Sequence, residues 1–361
     1  MRTMTSISRR FLLTTAAALA VGAIAAAGGS RPADAADEAG TPASSATQKP
    51  LSESTYQVTQ TFAVTDLPEG AKQVRVWCWM PEDRPQQKVL DFTIKGGPEG
   101  TRVTRDAAYG SAWIYAEAAA DPAHPLAVVS QFKVRRSEVR GLADAAKAGP
   151  ITDAHRTTFA RELRRDELHM EVTPALQKIA DDMCGTETNP VLQAKKIFDY
   201  VISKSDHYSK FGPAPKGKCL GDAMECLAGA GDCCTDQHAL FIALARARGI
   251  PCRLNFGSRL NLTKEGTDYN PGYRCWPLFF APGLGWVPCD VSSADATKDG
   301  DGDQWFGGLD DRRLQWAEGR DFDLSPASAV RPDLINGGGY VEVDGKPHKG
   351  FTRTLNFSRV K

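Results

Sequence analysis

The sequence predicts an α+β protein, in which an amino-terminal β-sandwich is followed by a domain of helices packed on an antiparallel sheet. Short runs of alternating apolar and polar residues begin near residue 53, which is the pattern of half-buried strands. After Gly141 the apolar period becomes helical, and strand-like runs return after residue 252. Helices that precede a second group of antiparallel strands are typical of an α+β arrangement.

Residues 1–35 have the three parts of an export signal. Arg9 and Arg10 precede an alanine-rich apolar stretch, which ends in the small residues Ala-Asp-Ala. The paired arginines indicate a twin-arginine-type signal peptide, so we expect a bacterial protein that is exported by that route to the periplasm or the extracellular space. We expect cleavage after Ala35, without which the apolar stretch is just long enough to anchor the chain in a membrane.

Composition excludes some classes of partner. The chain of 361 residues has 44 basic and 44 acidic residues, and no basic stripe indicates a nucleic-acid partner. No apolar run after the signal is long enough to span a bilayer, so we expect no stable membrane span after cleavage. We also predict no cofactor and no metal. Residues 36–52 are small, polar and proline-containing, which indicates a flexible linker.

The β-sandwich is predicted over residues 53–138. Alternation in TYQVTQTFAV and KQVRVWCWMP puts an apolar face on each of two strands, made of Tyr56, Val58, Phe62, Val64, Val74, Val76, Cys78 and Met80. Trp77 and Trp79 lie on the opposite face of the same strand from Val76 and Cys78. We expect both tryptophans to pack in the core.

Residues 139–164 are predicted to connect this sandwich to a second domain over 165–330. TPALQKIADDM and NPVLQAKKIFDYVI have helical periodicity, and the second opens with Asn189 as a cap and Pro190 in its first turn. A third helix is predicted within GDCCTDQHALFIALARARGIPCR, where Gly249 and Pro251 end it. Strand-like runs then follow at RLNFGSRL, RCWPLFF and GWVPCDVS. Residues 331–361 are predicted to be a closing strand segment.

Nine cysteines in an exported chain invite a disulfide interpretation. Spacing does not determine their connectivity, although Cys219 and Cys226 are close enough to join the ends of one loop. Zinc is a competing use, but no pair of cysteines with a second pair or histidines at ligand spacing is present.

The segment GDCCTDQHALFIALARARGIPCR, followed by YRCWPLFFAPGLGWVPCD, resembles the core of the transglutaminase-like superfamily, a branch of the papain-like cysteine enzymes. The resemblance covers about residues 165–330, and the preceding sandwich resembles the β-domain that often precedes this core. It implies that Cys234, and not Cys233, occupies the position of the nucleophile. It also implies that Asp290 occupies the third catalytic position.

The sequence departs from the family pattern at Arg274, which stands where the resemblance implies a catalytic histidine. Arginine does not shuttle protons, because its pKa exceeds about 12 in proteins. It can stabilise a thiolate and form an ion pair with Asp290. His238 is the nearest replacement base, since it lies one helical turn after Cys234, and a structural hydrogen bond is the alternative role for it.

Three functions are therefore compatible with Cys234, Arg274 and Asp290. We favour a pseudoenzyme, in which a degenerate Cys-His-Asp site binds a peptide-like ligand with little or no turnover. The first alternative is an active cysteine hydrolase or acyltransferase of the peptidase or amidase type. The second is a disulfide-stabilised interaction scaffold. The expected substrate or ligand is a peptide, a protein or a cell-wall-type amide.

Overall fold

A computed structural model describes residues 51–360 except 213, 216, 230 and 298–301. The predicted signal peptide and nearly all of the predicted linker lie outside the described residues. All described residues belong to one unit of the chain, Thr47–Lys361. Among them, no helix has both the length and the apolar character that crossing a membrane requires.

Strands fill the amino-terminal part of the chain, as the alternation predicts. These strands are β1 (Glu53–Val64), β2 (Gln73–Trp79), β3 (Gln87–Gly96), β4 (Arg102–Arg105), β5 (Ala112–Ala119) and β6 (Ala127–Ser137). In β1 every second residue from Tyr56 to Val64 is buried, because a strand points alternate side chains to opposite faces. Trp77 and Trp79 are both buried, which confirms their predicted place in the core.

Three carboxy-terminal strands complete the two amino-terminal sheets. They are β11 (Gly339–Val343), β12 (Lys346–Pro347) and β13 (Phe351–Val360). One sheet has the order β13-β1-β6-β3 and the other has the order β12-β11-β2-β5-β4. An apolar cluster that includes Phe62, Val76, Ile114 and Val341 joins side chains of the two sheets. The sandwich therefore contains residues 339–360 as well as the predicted 53–138.

Helices and a third sheet form the rest of the chain. The helices are α1 (Asp153–Thr158), α2 (Pro174–Cys184), α3 (Pro190–Lys204), α4 (Ala223–Leu227), α5 (Cys234–Ala247) and α6 (Val291–Ala296). The third sheet is antiparallel, with the order β10-β7-β8-β9. Its strands are β7 (Cys252–Arg259), β8 (Arg274–Ala281), β9 (Gly285–Pro288) and β10 (Arg313–Glu318). This arrangement confirms the predicted α+β class.

Helix α5 is the centre of the second part, because all fourteen of its residues are buried. It packs against α2, α3 and α4 and against β8 of the third sheet. The side chain of Asn189 accepts hydrogen bonds from the first N–H groups of α3, as its predicted role as a cap requires. A single apolar cluster connects α5 to Trp79 of the amino-terminal sheets. The start of α5 is thereby held between packed layers.

Candidate active site

Cys234 is the first residue of α5, and Cys233 before it has extended backbone dihedrals. The first N–H groups of a helix have no acceptor within the helix, and the helix dipole adds a partial positive charge there. Both effects favour a negative charge on a thiol at this position.

The environment of Cys234 lowers the pKa of its thiol. A hydrogen bond from the Cys275 thiol is the largest effect that lowers the pKa of Cys234, followed by a hydrogen bond from His207. The positive charges of His238 and Arg274 act in the same direction. Together they outweigh burial, which alone raises the pKa, and hold it well below the ordinary value. The thiolate is the nucleophilic form of cysteine.

His207 lies after the end of α3 and is buried beside Cys234. The backbone N–H of Ser209 donates to Nδ1 of His207 across 3.3 Å, and the Ser209 hydroxyl lies 2.8 Å from the same atom. Ser209 thus occupies Nδ1, so Nε2 is the ring nitrogen left to face Cys234. Asp295 accepts from the backbone N–H of His207 and fixes this loop.

A second thiol and imidazole lie behind Cys234. Nδ1 of His238 is 3.1 Å from Sγ of Cys275, and Nε2 of His238 is 3.4 Å from Oδ1 of Asp290. The side chains of His238 and Asp290 are fully buried. The backbone N–H of Ser292 donates to the same Nε2 across 3.4 Å. His238 therefore links Cys275 to Asp290, which is a structural alternative to the role of replacement base.

Asp290 caps α6 and forms an ion pair with Arg313, whose side chain is fully buried. Ser292 and Ser293 also donate to this carboxylate through their hydroxyl groups, at 2.7 and 2.8 Å. Burial raises the pKa of Asp290, but the charge of Arg313 and the hydrogen bond from His238 outweigh burial and hold this pKa well below its usual range. Trp305 packs its ring against the Arg313 guanidinium, 4.8 Å from the ring centroid.

The expected ion pair between Arg274 and Asp290 is not among the contacts of the described residues. Arg313 takes the carboxylate, while the guanidinium of Arg274 donates to the carbonyl oxygen of Tyr273 across 2.9 Å. Arg274 is the first residue of β8 and is partly exposed. The structure thus brings Arg274 within electrostatic reach of Cys234 and joins Asp290 to a different cation.

The pKa values of the other two thiols near Cys234 are shifted in the opposite direction. Burial and the hydrogen bond to Cys234 raise the pKa of Cys275 well above the ordinary value. A hydrogen bond with Cys219 and burial raise the pKa of Cys233. Tyr273 contacts the same turn, with its hydroxyl 2.8 Å from Oγ1 of Thr235. Cys234 is the one thiol of these three whose charged form is favoured.

All nine cysteines are described, and all nine are free thiols. The bridge that spacing allows between Cys219 and Cys226 is not formed in this structure, where the Cys226 thiol donates to the hydroxyl of Ser205 across 3.3 Å. Cys219 instead lies beside Cys233 and Asp236. The nearest ligand atoms of these three residues are within 4.8 Å of one another, which makes them a candidate donor set for a metal ion.

Sequence reasoning missed four residues of this site. His207 stands in a loop with no pattern that indicates proximity to Cys234. The sequence analysis assigns no role to Cys275 or to Arg313. Tyr273 had no role at all. The alternation of side chains along a strand was the one signal available, since it predicts that Tyr273 and Cys275 share a face.

A thiolate at the start of a buried helix that packs on an antiparallel sheet is the arrangement expected of the transglutaminase-like, papain-related class. Residues 177–291 match the family model of the transglutaminase-like superfamily, and this part of the chain is a transglutaminase-like superfamily domain. A protein of Haemophilus influenzae named "Uncharacterized protein" is 27% identical over 333 residues, which cover 82% of this chain and 88% of that one.

Solved structures support the fold. The structure of "a Putative Cysteine Protease from Cytophaga hutchinsonii" covers 87% of this chain and 92% of its own, with a TM-score of 0.57 and 13% identity. A second structure, of "a putative protease from Parabacteroides distasonis", covers 77% of this chain and 45% of its own, with 11% identity. Its TM-score of 0.23 is too low to bear on the fold. The first match shows that the amino-terminal sheets and the helical part recur together.

Proposed function

We propose that the protein is a cysteine hydrolase that cleaves an amide or ester of a peptide-like substrate, with Cys234 as the nucleophile. The observation that carries this proposal is the position of Cys234 as the first residue of a buried helix, with His207 near enough to lower the pKa of its thiol. A cysteine enzyme needs a group that takes up and returns a proton, and His207 supplies one that does not depend on residue 274.

In the proposed reaction, Sγ of Cys234 attacks the carbonyl carbon and forms a covalent acyl-enzyme through a tetrahedral intermediate. Nε2 of His207 takes up the proton of the Cys234 thiol, the resulting imidazolium gives that proton to the leaving amine or alcohol, and the neutral Nε2 then takes one from the water that releases the acid. The N–H of Cys234 points out of the helix start and is the candidate donor to the oxyanion. Arg274 adds positive charge near the thiolate.

A panel of fluorogenic peptides and p-nitrophenyl acetate tests the proposal. We expect turnover by the wild-type protein and at least a 1,000-fold loss of kcat in Cys234→Ser, because removing a catalytic nucleophile abolishes most of the rate enhancement. Cys184→Ser changes another buried thiol, on α2, and is the matched control that should keep wild-type activity. Equal rates in wild type and Cys234→Ser would refute a role for this thiol.

A second candidate is the pseudoenzyme expected from the sequence. Arg274 in the position of the catalytic histidine and the 4% exposure of Cys234 favour a site that holds a ligand without cleaving it. In that case Cys234 would still be alkylated by iodoacetamide, while no substrate of the panel would be turned over. A bound peptide would then protect Cys234 from alkylation in both wild type and His207→Gln.

We also propose that the protein acts outside the cytoplasm, on a peptide, a protein or a cell-wall-type amide. The support is the paired Arg9 and Arg10 ahead of an apolar stretch and a small-residue cleavage site. Fractionation of cells that express the full chain should give a product shortened at Ala35 in the periplasm or the medium. Arg9→Lys with Arg10→Lys should leave the full-length chain in the cytoplasm.

A further inference from the structure

Cys219 and Cys233 form a second, separate pair of thiols beside the proposed nucleophile. Their Sγ atoms lie within 4.8 Å of each other. Cys219 lies in the loop before α4 and is partly exposed, whereas Cys233 is buried and caps α5. Cys226, the partner that sequence spacing favours for Cys219, is bonded to Ser205 instead.

We propose that Cys219 and Cys233 form a disulfide in the mature protein and that this bond leaves Cys234 as the free thiol of the Cys233-Cys234 pair. A disulfide needs the two sulfur atoms about 2 Å apart, so the Cys219 loop has to move by less than about 3 Å. Cys219 is on a surface loop outside the helices and strands, where such a shift breaks no helix or strand hydrogen bond.

Asp236 argues against a metal ion as the purpose of this cluster. Its Oδ1 accepts from the backbone N–H groups of Gly221 and Asp222, at 2.8 and 3.1 Å. Its Oδ2 lies 3.1 Å from Sγ of Cys233, which donates to it. The carboxylate is therefore occupied in the absence of a metal. A structural zinc site takes four protein ligands, and the described residues supply three here.

The bond forms by exchange with an oxidised disulfide donor. Sγ of Cys219 attacks one sulfur of the donor, a mixed disulfide forms, and one donor thiol leaves. Sγ of Cys233 then attacks Sγ of Cys219, the mixed disulfide breaks, and the second donor thiol leaves. The two protons of the protein thiols end on the two donor thiols, and the two electrons reduce the donor disulfide.

The proposed bond acts on the loop that borders the helix start. The carbonyl oxygen of Gly221 accepts from Arg320 across 2.8 Å, while the N–H of Gly221 donates to Asp236. A bond from Cys219 to Cys233 adds a covalent tie between this loop and the cap of α5. Its value for catalysis rests on the proposed function of Cys234, but its existence does not.

Incubation with oxidised glutathione followed by peptide mapping without reduction tests the pairing. We expect a peptide that contains Cys219 joined to Cys233 and a decrease from nine titratable thiols to seven in the denatured protein. Cys226→Ser is the matched control, because it removes the alternative partner and should leave the bridge intact. Cys219→Ser should lose the bridge and keep Cys233 reduced.

Other outcomes overturn the inference. A bridge between Cys219 and Cys226, or between Cys234 and Cys275, would show a different pairing. Nine free thiols after oxidation, together with one equivalent of Co²⁺ bound and a thiolate-to-cobalt absorption band that Cys219→Ser abolishes, would show a metal site. The mapping is repeated in Cys234→Ser, where the same bridge is expected. A failure of the disulfide inference is thereby distinguishable from a failure of the hydrolase proposal.

Thermal unfolding gives a second measurement. Bridging a loop of this length restricts the unfolded chain, and we expect the oxidised protein to unfold at a Tm higher by about 5 °C or more. The increase should be absent in Cys219→Ser and present in Cys226→Ser. An oxidised protein with the mapped bridge and an unchanged Tm would contradict the proposed tie between the loop and α5.

Discussion

Two thiol and imidazole pairs lie next to each other in this protein, and they differ in which form of the thiol is stable. Cys234, at the start of α5, pairs with His207, and the pKa of Cys234 is lowered. Cys275 of β8 pairs with His238 of α5, and the pKa of Cys275 is raised. Only the second pair has an aspartate behind its histidine, at 3.4 Å. A Cys-His-Asp order in space therefore does not identify the reactive thiol.

The difference comes from the surroundings of each sulfur. Cys234 has helix N–H groups, two hydrogen-bond donors and nearby cations around it, whereas Cys275 is buried next to the negative charges of Cys234 and Asp290. His238 is also committed to the Asp290 carboxylate, which is itself paired with Arg313. Cys275 and His238 therefore belong to a buried polar network that supports the site. Cys234 and His207 are the pair suited to catalysis.

The largest expected effect separates the two histidines. His207→Gln should lower kcat/KM by about 100- to 10,000-fold, because it removes the proposed proton carrier. His124→Gln, which changes an exposed histidine, is the control with wild-type rates. If His238→Gln remains folded and loses as much activity as His207→Gln, the comparison fails, and a proton path through Cys275 and His238 becomes the better mechanism.

Removing Arg313, the cation paired with Asp290, should affect the stability of the protein more than the reactivity of Cys234. Arg313→Met leaves the Asp290 carboxylate buried and without its ion-pair partner, which costs about 3–5 kcal/mol in the free energy of unfolding at pH 7. Urea unfolding measures this cost, and Arg313→Met with Asp290→Asn should recover part of it. A double variant no more stable than Arg313→Met would contradict the proposed cause.

The pH dependence of stability follows from the same ion pair. Because the folded-state pKa of Asp290 lies below its unfolded value of about 3.9, its contribution is complete above that value and is lost as the pH falls below it. Wild-type stability should therefore decrease below about pH 4 more steeply than that of Arg313→Met. Parallel curves for the two proteins would exclude this contribution.

A smaller effect compares the two thiols directly. At pH 6 an ordinary thiol with a pKa of about 8.5 is less than about 1% thiolate, whereas the surroundings of Cys234 lower its pKa and so raise its thiolate fraction. Iodoacetamide should therefore label Cys234 about 10- to 100-fold faster than Cys275, as measured by mass spectrometry of peptides. Equal and slow labelling of both thiols would contradict the assigned environments.

The smallest expected effect concerns Arg274. Its charge is the last of the named influences that lower the pKa of Cys234, so Arg274→Gln should raise the midpoint of the pH profile of labelling by less than His207→Gln does. Arg274→Lys keeps the charge and should retain the wild-type midpoint. A larger shift in Arg274→Gln than in His207→Gln would make Arg274 the main stabiliser of the thiolate.

Local patterns predicted the parts of the fold that depend on nearby residues. Alternation gave the buried face of β1, and a capping residue followed by proline gave the start of α3. The resemblance to a family placed Cys234 at the start of α5. The rest depends on contacts between distant parts of the chain, and no period or cap encodes them. His207 reaches Cys234 from a loop, and Arg313 reaches Asp290 from β10.

The pairing of β13 with β1 sets an order of events during synthesis. Ten residue pairs, from Thr55 with Val360 to Val64 with Phe351, join one end of the described chain to the other. A ribosome releases β1 long before it reaches β13, so β1 must wait with one edge uncovered until translation is nearly complete. An open edge of this length is a template for aggregation. A chaperone that shields nascent chains would have to cover this edge for most of the time of synthesis. A premature stop before residue 351 would yield an insoluble product.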